Sequence, residues 1–159
     1  MKAVTVRELK TELKERSNQE LMELCLNLAK FKKENKELLT YLLFEADDES
    51  SYINSIKMEI EDQFDEVNNS SFYYMKKSIR KILRETKKYI RYSKKTQTEI
   101  ELRLFFCEKL KSFQPSIKRS TVLKGVYFRE LEAVRKKVGS LHEDLQYDYE
   151  MQLEELYAF

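Results

Sequence analysis

Glycine and proline are almost absent from this chain, and their scarcity constrains the fold more than any other feature. The 159 residues include two glycines, Gly125 and Gly139, and one proline, Pro115. Strands joined by tight turns need both residue types at many positions, because glycine supplies positive φ angles and proline fixes turn geometry. A sheet protein of this length would contain many more of them. The sequence therefore predicts an all-α fold.

Apolar residues recur along most of the chain at three- and four-residue intervals, which is the spacing of one face of an α-helix. We expect a single domain over 1–159, with seven or eight antiparallel helices in hairpins, because the connections are short. The hairpins could close into a bundle or stack into a short solenoid-like array. The sixth helix is apolar over most of its surface and is expected at the centre of the core. The predicted helices span about 6–15, 18–31, 35–45, 51–67, 72–93, 97–113, 118–138 and 141–157.

Several helix starts carry the capping-box pattern, in which Ser or Thr is followed three residues later by Glu. The pattern predicts helix N-caps at Thr5, Ser17, Thr96 and Ser140. Gly139 is expected at the end of the helix before Ser140, because glycine is common just beyond helix C-termini.

The composition predicts a folded, soluble domain. Charged residues make up 36% of the chain and apolar residues 42%, and no apolar run exceeds four residues, as at 104–107. A membrane-spanning helix needs ~20. The first residues carry charges throughout, unlike a signal peptide. Cys25 and Cys107 lie far apart in apolar helical stretches, which favours buried free thiols in a reducing compartment. We therefore expect a cytoplasmic protein with no membrane contact.

The net charge of +2 conceals a strong segregation of charge along the chain. Residues 45–71 contain nine acids and one base, and residues 72–95 contain ten bases and one acid. A helical wheel places six bases of the helix at about 72–93 on one face, with Tyr73 among them. This candidate site for nucleic acid or an acidic partner comprises Lys77, Arg80, Arg84, Lys87, Lys88 and Arg91.

Two interpretations of this basic face remain open. A basic stripe with aromatic rings attracts a phosphate backbone through counterion release and stacking. Alternatively, the acidic helix before it and the acidic last helix could pair with it internally and set which helices are neighbours.

No catalytic or metal site is predicted. His142 is the only histidine, and Gln146 stands where a zinc-binding His-Glu-x-x-His motif needs its second histidine. One histidine in a helix-capping segment supports neither a Ser-His-Asp nor a Cys-His arrangement. The two glycines are too far apart for a phosphate-binding loop. The sequence thus indicates no cofactor, and an enzyme of unrecognised type would need a pocket near His142.

Two resemblances concern the N-terminal third. Residues 4–16 resemble the opening of a SAP motif, which binds DNA, although the loop that follows in that motif is missing here. The segments LKTELK at 9–14, SNQEL at 17–21 and LLTYLL at 38–43 resemble a family of uncharacterised, all-helical bacterial proteins. The second resemblance implies a helical fold and a cytosolic bacterial origin. It implies no activity.

The function is therefore an open choice among three hypotheses. The first is a non-catalytic helical interaction or scaffold protein, which would expose an apolar or aromatic patch and bind a protein partner or a second copy. The alternative is nucleic-acid binding, which requires that the acidic helices leave the basic face uncovered. An enzyme is the third.

Overall fold

The computed structural model describes residues 1–158, and it confirms the all-α fold. Every regular element in these residues is helical, and eight are α-helices. The α-helices are α1 (Val6–Lys14), α2 (Asn18–Phe31), α3 (Lys33–Thr40), α4 (Glu49–Asp65), α5 (Phe72–Ser93), α6 (Thr96–Ser112), α7 (Thr121–Val138) and α8 (Glu143–Tyr157). A π-helical turn, Tyr41–Glu45, follows α3, and a 3₁₀ turn, Ile117–Arg119, precedes α7.

The first two predicted capping boxes are confirmed. The Ser17 side chain accepts the Glu20 N–H, and the Glu20 carboxylate accepts the Ser17 N–H at 2.8 Å. Thr5 and Glu8 form the same pair of bonds at the start of α1. Each box satisfies two backbone groups that an isolated helix end would leave unpaired.

The other two predicted caps are wrong. α6 begins at Thr96 itself, with Lys95 as an N-cap that makes no side-chain bond. α8 begins at Glu143, after His142 rather than after Ser140. The pattern failed at α6 because the Glu99 carboxylate binds Arg103 and Lys137 instead of turning back to the helix start.

Contacts within the chain divide it into two compact units. The N-terminal unit comprises Met1–Phe44, and the C-terminal unit comprises Glu45–Phe159. Each unit is described here by itself. The expectation of one domain over 1–159 stays a prediction.

The core of the C-terminal unit surrounds α6, as expected. This helix packs against α4, α5, α7 and α8. Ile100, Leu102, Leu104 and Phe106 are all at most 2% exposed. Residues two apart on a helix point in very different directions, so burying all four requires neighbours on several sides.

Consecutive helices of the C-terminal unit run antiparallel, and α6 runs parallel to α4. The contacts between α4 and α6 show this parallel direction, because the residue numbers of the contacting positions increase along both helices. They join Thr98 to Glu49, Lys57 to Glu101, and Lys109 to Glu61.

A buried ionic network joins α5, α6 and α7. The Glu130 carboxylate of α7 is 4% exposed and accepts hydrogen bonds from Lys87 of α5, at 2.6 Å, and from Arg103 of α6. Because Glu130 has a cation from each neighbouring helix, its charge is compensated inside the protein. The network fixes how α5 is rotated about its axis.

The N-terminal unit is built differently. Its helices α2 and α3 pack against each other, and the Asn35 side-chain amide donates to the Leu28 carbonyl at 2.8 Å. No residue of α1, α2 or α3 is buried, and Tyr41 is the one buried residue that the unit contributes among residues 1–44.

Candidate functional site

The structure separates the six predicted site residues of α5 into two groups. Four of them lie exposed on its outer surface, and these are Lys77, Arg80, Arg84 and Arg91. Lys87 is half-buried against Glu130, and Lys88 is 9% exposed. The Lys88 ammonium lies 3.2 Å from the Glu85 carboxylate and 4.6 Å from the centroid of the Tyr89 ring. Lys87 thus joins α5 to α7, whereas the contacts of Lys88 with Glu85 and Tyr89 lie within α5.

The exposed bases cluster near the first half of α5. Four exposed bases and the half-buried Lys76 line an open groove of about 390 Å³ together with Tyr73. We call these five the α5 basic face: Lys76, Lys77, Arg80, Lys81 and Arg84. None of the five forms an ion pair or a hydrogen bond with another of the described residues through its side chain, whereas most bases on α6 do.

Three of the five acids of α4 have partners away from this face. Glu59 accepts a hydrogen bond from the Tyr89 hydroxyl at 2.7 Å, and Glu61 pairs with Lys109 of α6. Glu49 pairs with Lys95 at 2.8 Å. No carboxylate in residues 1–158, on α4 or on α8, forms an ion pair with the α5 basic face. The internal neutralisation that the sequence left open does not occur at these five bases.

Two members of this face, Lys76 and Lys81, are absent from the sequence-predicted set. Both fall within or beside the arc that a helical wheel assigns to Lys77, Arg80 and Arg84. The wheel could therefore have included them. It could not exclude Lys87, because the burial of Lys87 depends on Glu130 of a different helix.

A second candidate site lies in the N-terminal unit. Leucines of α1 and α2 line an open groove of about 630 Å³, and charged side chains form its rim. We call this the leucine groove. Its floor is Leu9, Leu13, Leu24 and Leu28, and its rim includes Glu12, Arg16, Glu20 and Glu23. The four leucines are between 42% and 62% exposed.

The leucine groove belongs to a larger apolar surface. Thirteen large apolar side chains are exposed among residues 1–44, against eight among residues 45–158. Cys25 is exposed as well, so the prediction that both cysteines are buried is wrong for this one. The prediction failed because the packing of α2 against α3 leaves every residue of α2 at least partly exposed. The sequence carried one signal of this, since three short helices are too few to enclose a core.

The remaining candidates share no lining residue with the α5 basic face or the leucine groove. His142 is exposed and caps α8, with its Nδ1 accepting the Asp144 N–H at 3.4 Å. Residues 1–158 contain no group of three or more His, Cys, Asp or Glu placed to hold a metal ion. A cavity of about 380 Å³ between α4, α6 and α8 is polar, but its Lys57 and Glu101 pair with each other at 2.8 Å.

Two ionisable side chains that line this cavity have shifted pKa values. Burial raises the pKa of the Glu108 carboxyl, and burial is also the largest cause of the raised pKa of Tyr149. Both shifts follow from lost solvation.

Comparison with known proteins shows no family for this chain. No family model, no curated protein and no solved structure matches this chain. The resemblance to uncharacterised bacterial helical proteins stays a prediction. Across residues 1–158, no helix combines the length and the apolar character needed to cross a bilayer.

Proposed function

We propose that this chain is a cytoplasmic, non-catalytic interaction protein whose N-terminal unit associates with a second copy of itself through the leucine groove. One observation carries the proposal. The groove exposes leucines from two adjacent helices, and each of these leucines is more than two-fifths exposed. Isolated exposed leucines need no explanation, but a contiguous apolar groove with a charged rim is typical of an interaction site. The two free thiols fit a reducing compartment.

The lengths of the helices support association. α1 has nine residues and buries none of them. Helices shorter than ~12 residues are marginal in water without tertiary packing, even with a good cap. A partner that covers Leu9 and Leu13 would supply the packing that α1 lacks. Two copies of the α1–α2 pair would then bring four helices around one leucine core, as in a four-helix bundle.

The charges favour a second copy as the occupant. Beside the leucine floor, α1 carries Lys10 and Lys14, which are exposed and form no ion pair within the described residues. The rim that an approaching α1 would meet carries three acids, Glu12, Glu20 and Glu23, and one base, Arg16, which lies 4.0 Å from Glu12 and 3.4 Å from Glu20. Reciprocal docking would thus set the lysines of each copy near the glutamates of the other. A symmetric dimer requires this kind of self-complementarity.

Light scattering after gel filtration tests the proposal. We expect the mass to rise from 19.2 kDa towards twice that value as protein is concentrated from about 1 to about 100 µM. A Leu24→Asp/Leu28→Asp variant should remain monomeric, because it places charge on the groove floor. Met58→Asp is the matched control, since Met58 of α4 is 67% exposed and lies outside the N-terminal unit.

A mixing experiment separates contact between copies from a general loss of structure. Lys10→Glu/Lys14→Glu and Glu12→Lys/Glu23→Lys should each weaken association, because each sets like charges against one another. An equimolar mixture of the two variants restores opposite charges across the interface and should form a dimer. A wild-type chain that stays monomeric at every concentration, or a mixture that does not associate, would refute the self-association proposal.

A further inference from the structure

We propose that the α5 basic face binds the phosphodiester backbone of single-stranded nucleic acid. This inference concerns the C-terminal unit and does not rest on the self-association proposed above. It begins from the charges. Five bases occupy nine consecutive positions of α5, and none has a carboxylate partner within residues 1–158. Unpartnered surface bases can neutralise phosphates, and this releases the cations condensed on the nucleic acid, which supplies essentially all of the sequence-independent affinity.

The spacing of the bases suits a polyanion better than a single anion. Positions 76, 80 and 84 lie about one helical turn apart, so the face runs for about 12 Å along α5. Phosphates in one stacked strand rise about 3.4 Å per nucleotide, so this length can meet three or four of them. The two arginines, Arg80 and Arg84, can each engage a phosphate with two parallel hydrogen bonds.

Tyrosines at the beginning of α5 favour a single strand. Tyr73 is 67% exposed and lines the same groove as the five bases. Its ring meets the ring of Tyr74 edge to face, with centroids 5.3 Å apart, which leaves a face of the Tyr73 ring for another partner. Unpaired bases stack on such rings regardless of sequence, and a duplex hides its base faces.

The composition of the face argues against a lipid surface. The apolar residues of α5 are directed into the core, where Met75, Ile79 and Ile82 are at most 2% exposed. A helix that binds in the membrane interface needs its apolar side free to enter the lipid. On α5 that side is already packed, so only the charged groove is available to a ligand.

Fluorescence anisotropy with labelled oligonucleotides of about twenty residues tests the inference on the full chain. We expect single-stranded DNA and RNA to bind at about 50 mM salt, to weaken steeply by about 200 mM, and to exceed a duplex of the same length. Arg80→Gln/Arg84→Gln should lower the affinity at least about tenfold. The slope of log affinity against log salt concentration should become shallower by about one for each phosphate contact that is lost. Tyr73→Ala should reduce the preference for single strands.

Two controls keep the test decisive. Arg119→Gln/Lys136→Gln removes the same charge from exposed positions outside α5 and should bind like the wild type. Lys77→Gln/Lys81→Gln provides a second variant of the face, should the arginine variant lose its circular dichroism signal. The inference is overturned if no oligonucleotide binds at the lower salt concentration, if the off-face control loses as much affinity as the arginine variant, or if vesicles containing phosphatidylserine bind and oligonucleotides do not.

Discussion

The two units of this chain use the same amphipathic helices with opposite results. Within residues 1–158, the C-terminal unit contributes all but one of the twenty-seven buried apolar side chains, and the exception is Tyr41. The N-terminal unit instead contributes most of the exposed large apolar side chains. Both units have leucine stripes at helical spacing. The difference is that α6 has four helices around it, whereas α1 and α2 have an open groove between them.

This contrast shows that an amphipathic stripe specifies a surface to be covered and not what covers it. In the C-terminal unit the covering helices belong to the same chain, so the stripes become a core. In the N-terminal unit the stripes remain on the surface, where they are available to a second molecule. Stability and association should therefore respond to matched substitutions in opposite ways.

The largest difference is expected between Phe106→Ala and Leu24→Ala. Phe106 is fully buried beside Phe64, with ring centroids 5.7 Å apart, so its truncation should lower the free energy of unfolding by about 3–5 kcal/mol. Leu24 is 43% exposed, and its truncation should leave the unfolding of the monomer almost unchanged while weakening the dimer. Urea unfolding at low and high protein concentration measures both effects. A large loss in the Leu24→Ala monomer would break the contrast.

Local features of this fold could be predicted from the sequence, because they depend on neighbours in the chain. The bounds of α2 and α5 follow from apolar spacing, and the boxes at Thr5 and Ser17 need only residues three positions apart. The central place of α6 was also predictable, since a helix that is apolar all round must be enclosed.

Tertiary features could not be predicted, because they depend on which helices meet. A wheel gives Lys77 and Lys88 the same face, yet one is exposed and the other buried. Cys25 and Cys107 occupy similar apolar stretches, yet only Cys107 has helices over it. The division at residue 44 coincides with the start of the acidic segment 45–71, but that change of charge did not by itself indicate a boundary between two units. For the candidate site, the sequence identified α5 and its arginines, but it did not identify the leucine groove.

The two cysteines provide a smaller and more direct comparison. Burial raises the pKa of the Cys107 thiol, with the nearby Glu130 charge as the next cause, while Cys25 is exposed. With a thiol reagent such as DTNB, Cys25 should react at once in the native protein. Cys107 should react only as fast as the C-terminal unit unfolds. Equal reactivity of the two thiols would mean that the C-terminal core opens as readily as the N-terminal surface.

The same burial gives the C-terminal unit a dependence on alkaline pH. Because the folded pKa of Cys107 is raised above its ordinary value of 9.0, the folded state binds more protons than the unfolded state once the pH passes that value. The stabilisation is complete below about pH 9 and is lost as the pH rises further. Above this pH, the urea concentration at the unfolding midpoint should fall more steeply with pH for the wild type than for Cys107→Ala. Parallel profiles would contradict the assignment.

The smallest effect is expected when a matched helix cap is removed from each unit. Ser120 caps α7 through the Leu123 N–H and is 8% exposed, so Ser120→Ala should cost the C-terminal unit about 1 kcal/mol of unfolding free energy. Ser17→Ala should instead reduce the helical circular dichroism of the N-terminal unit and leave the main unfolding transition in place.

The Ser17 cap should also respond to acid. Hydrogen bonds from the Ser17 backbone and side chain lower the pKa of Glu20 below its ordinary 4.5. The folded helix therefore favours the ionised carboxylate more than the unfolded chain does. The cap therefore stabilises α2 above about pH 4.5 and is lost as the pH falls through the lowered pKa. Wild type should lose helical signal on acidification, and Ser17→Ala should lose less, because its cap is already missing. If both proteins lost the same signal, the capping box would not be what holds α2 at its start, and packing against a partner would have to do so.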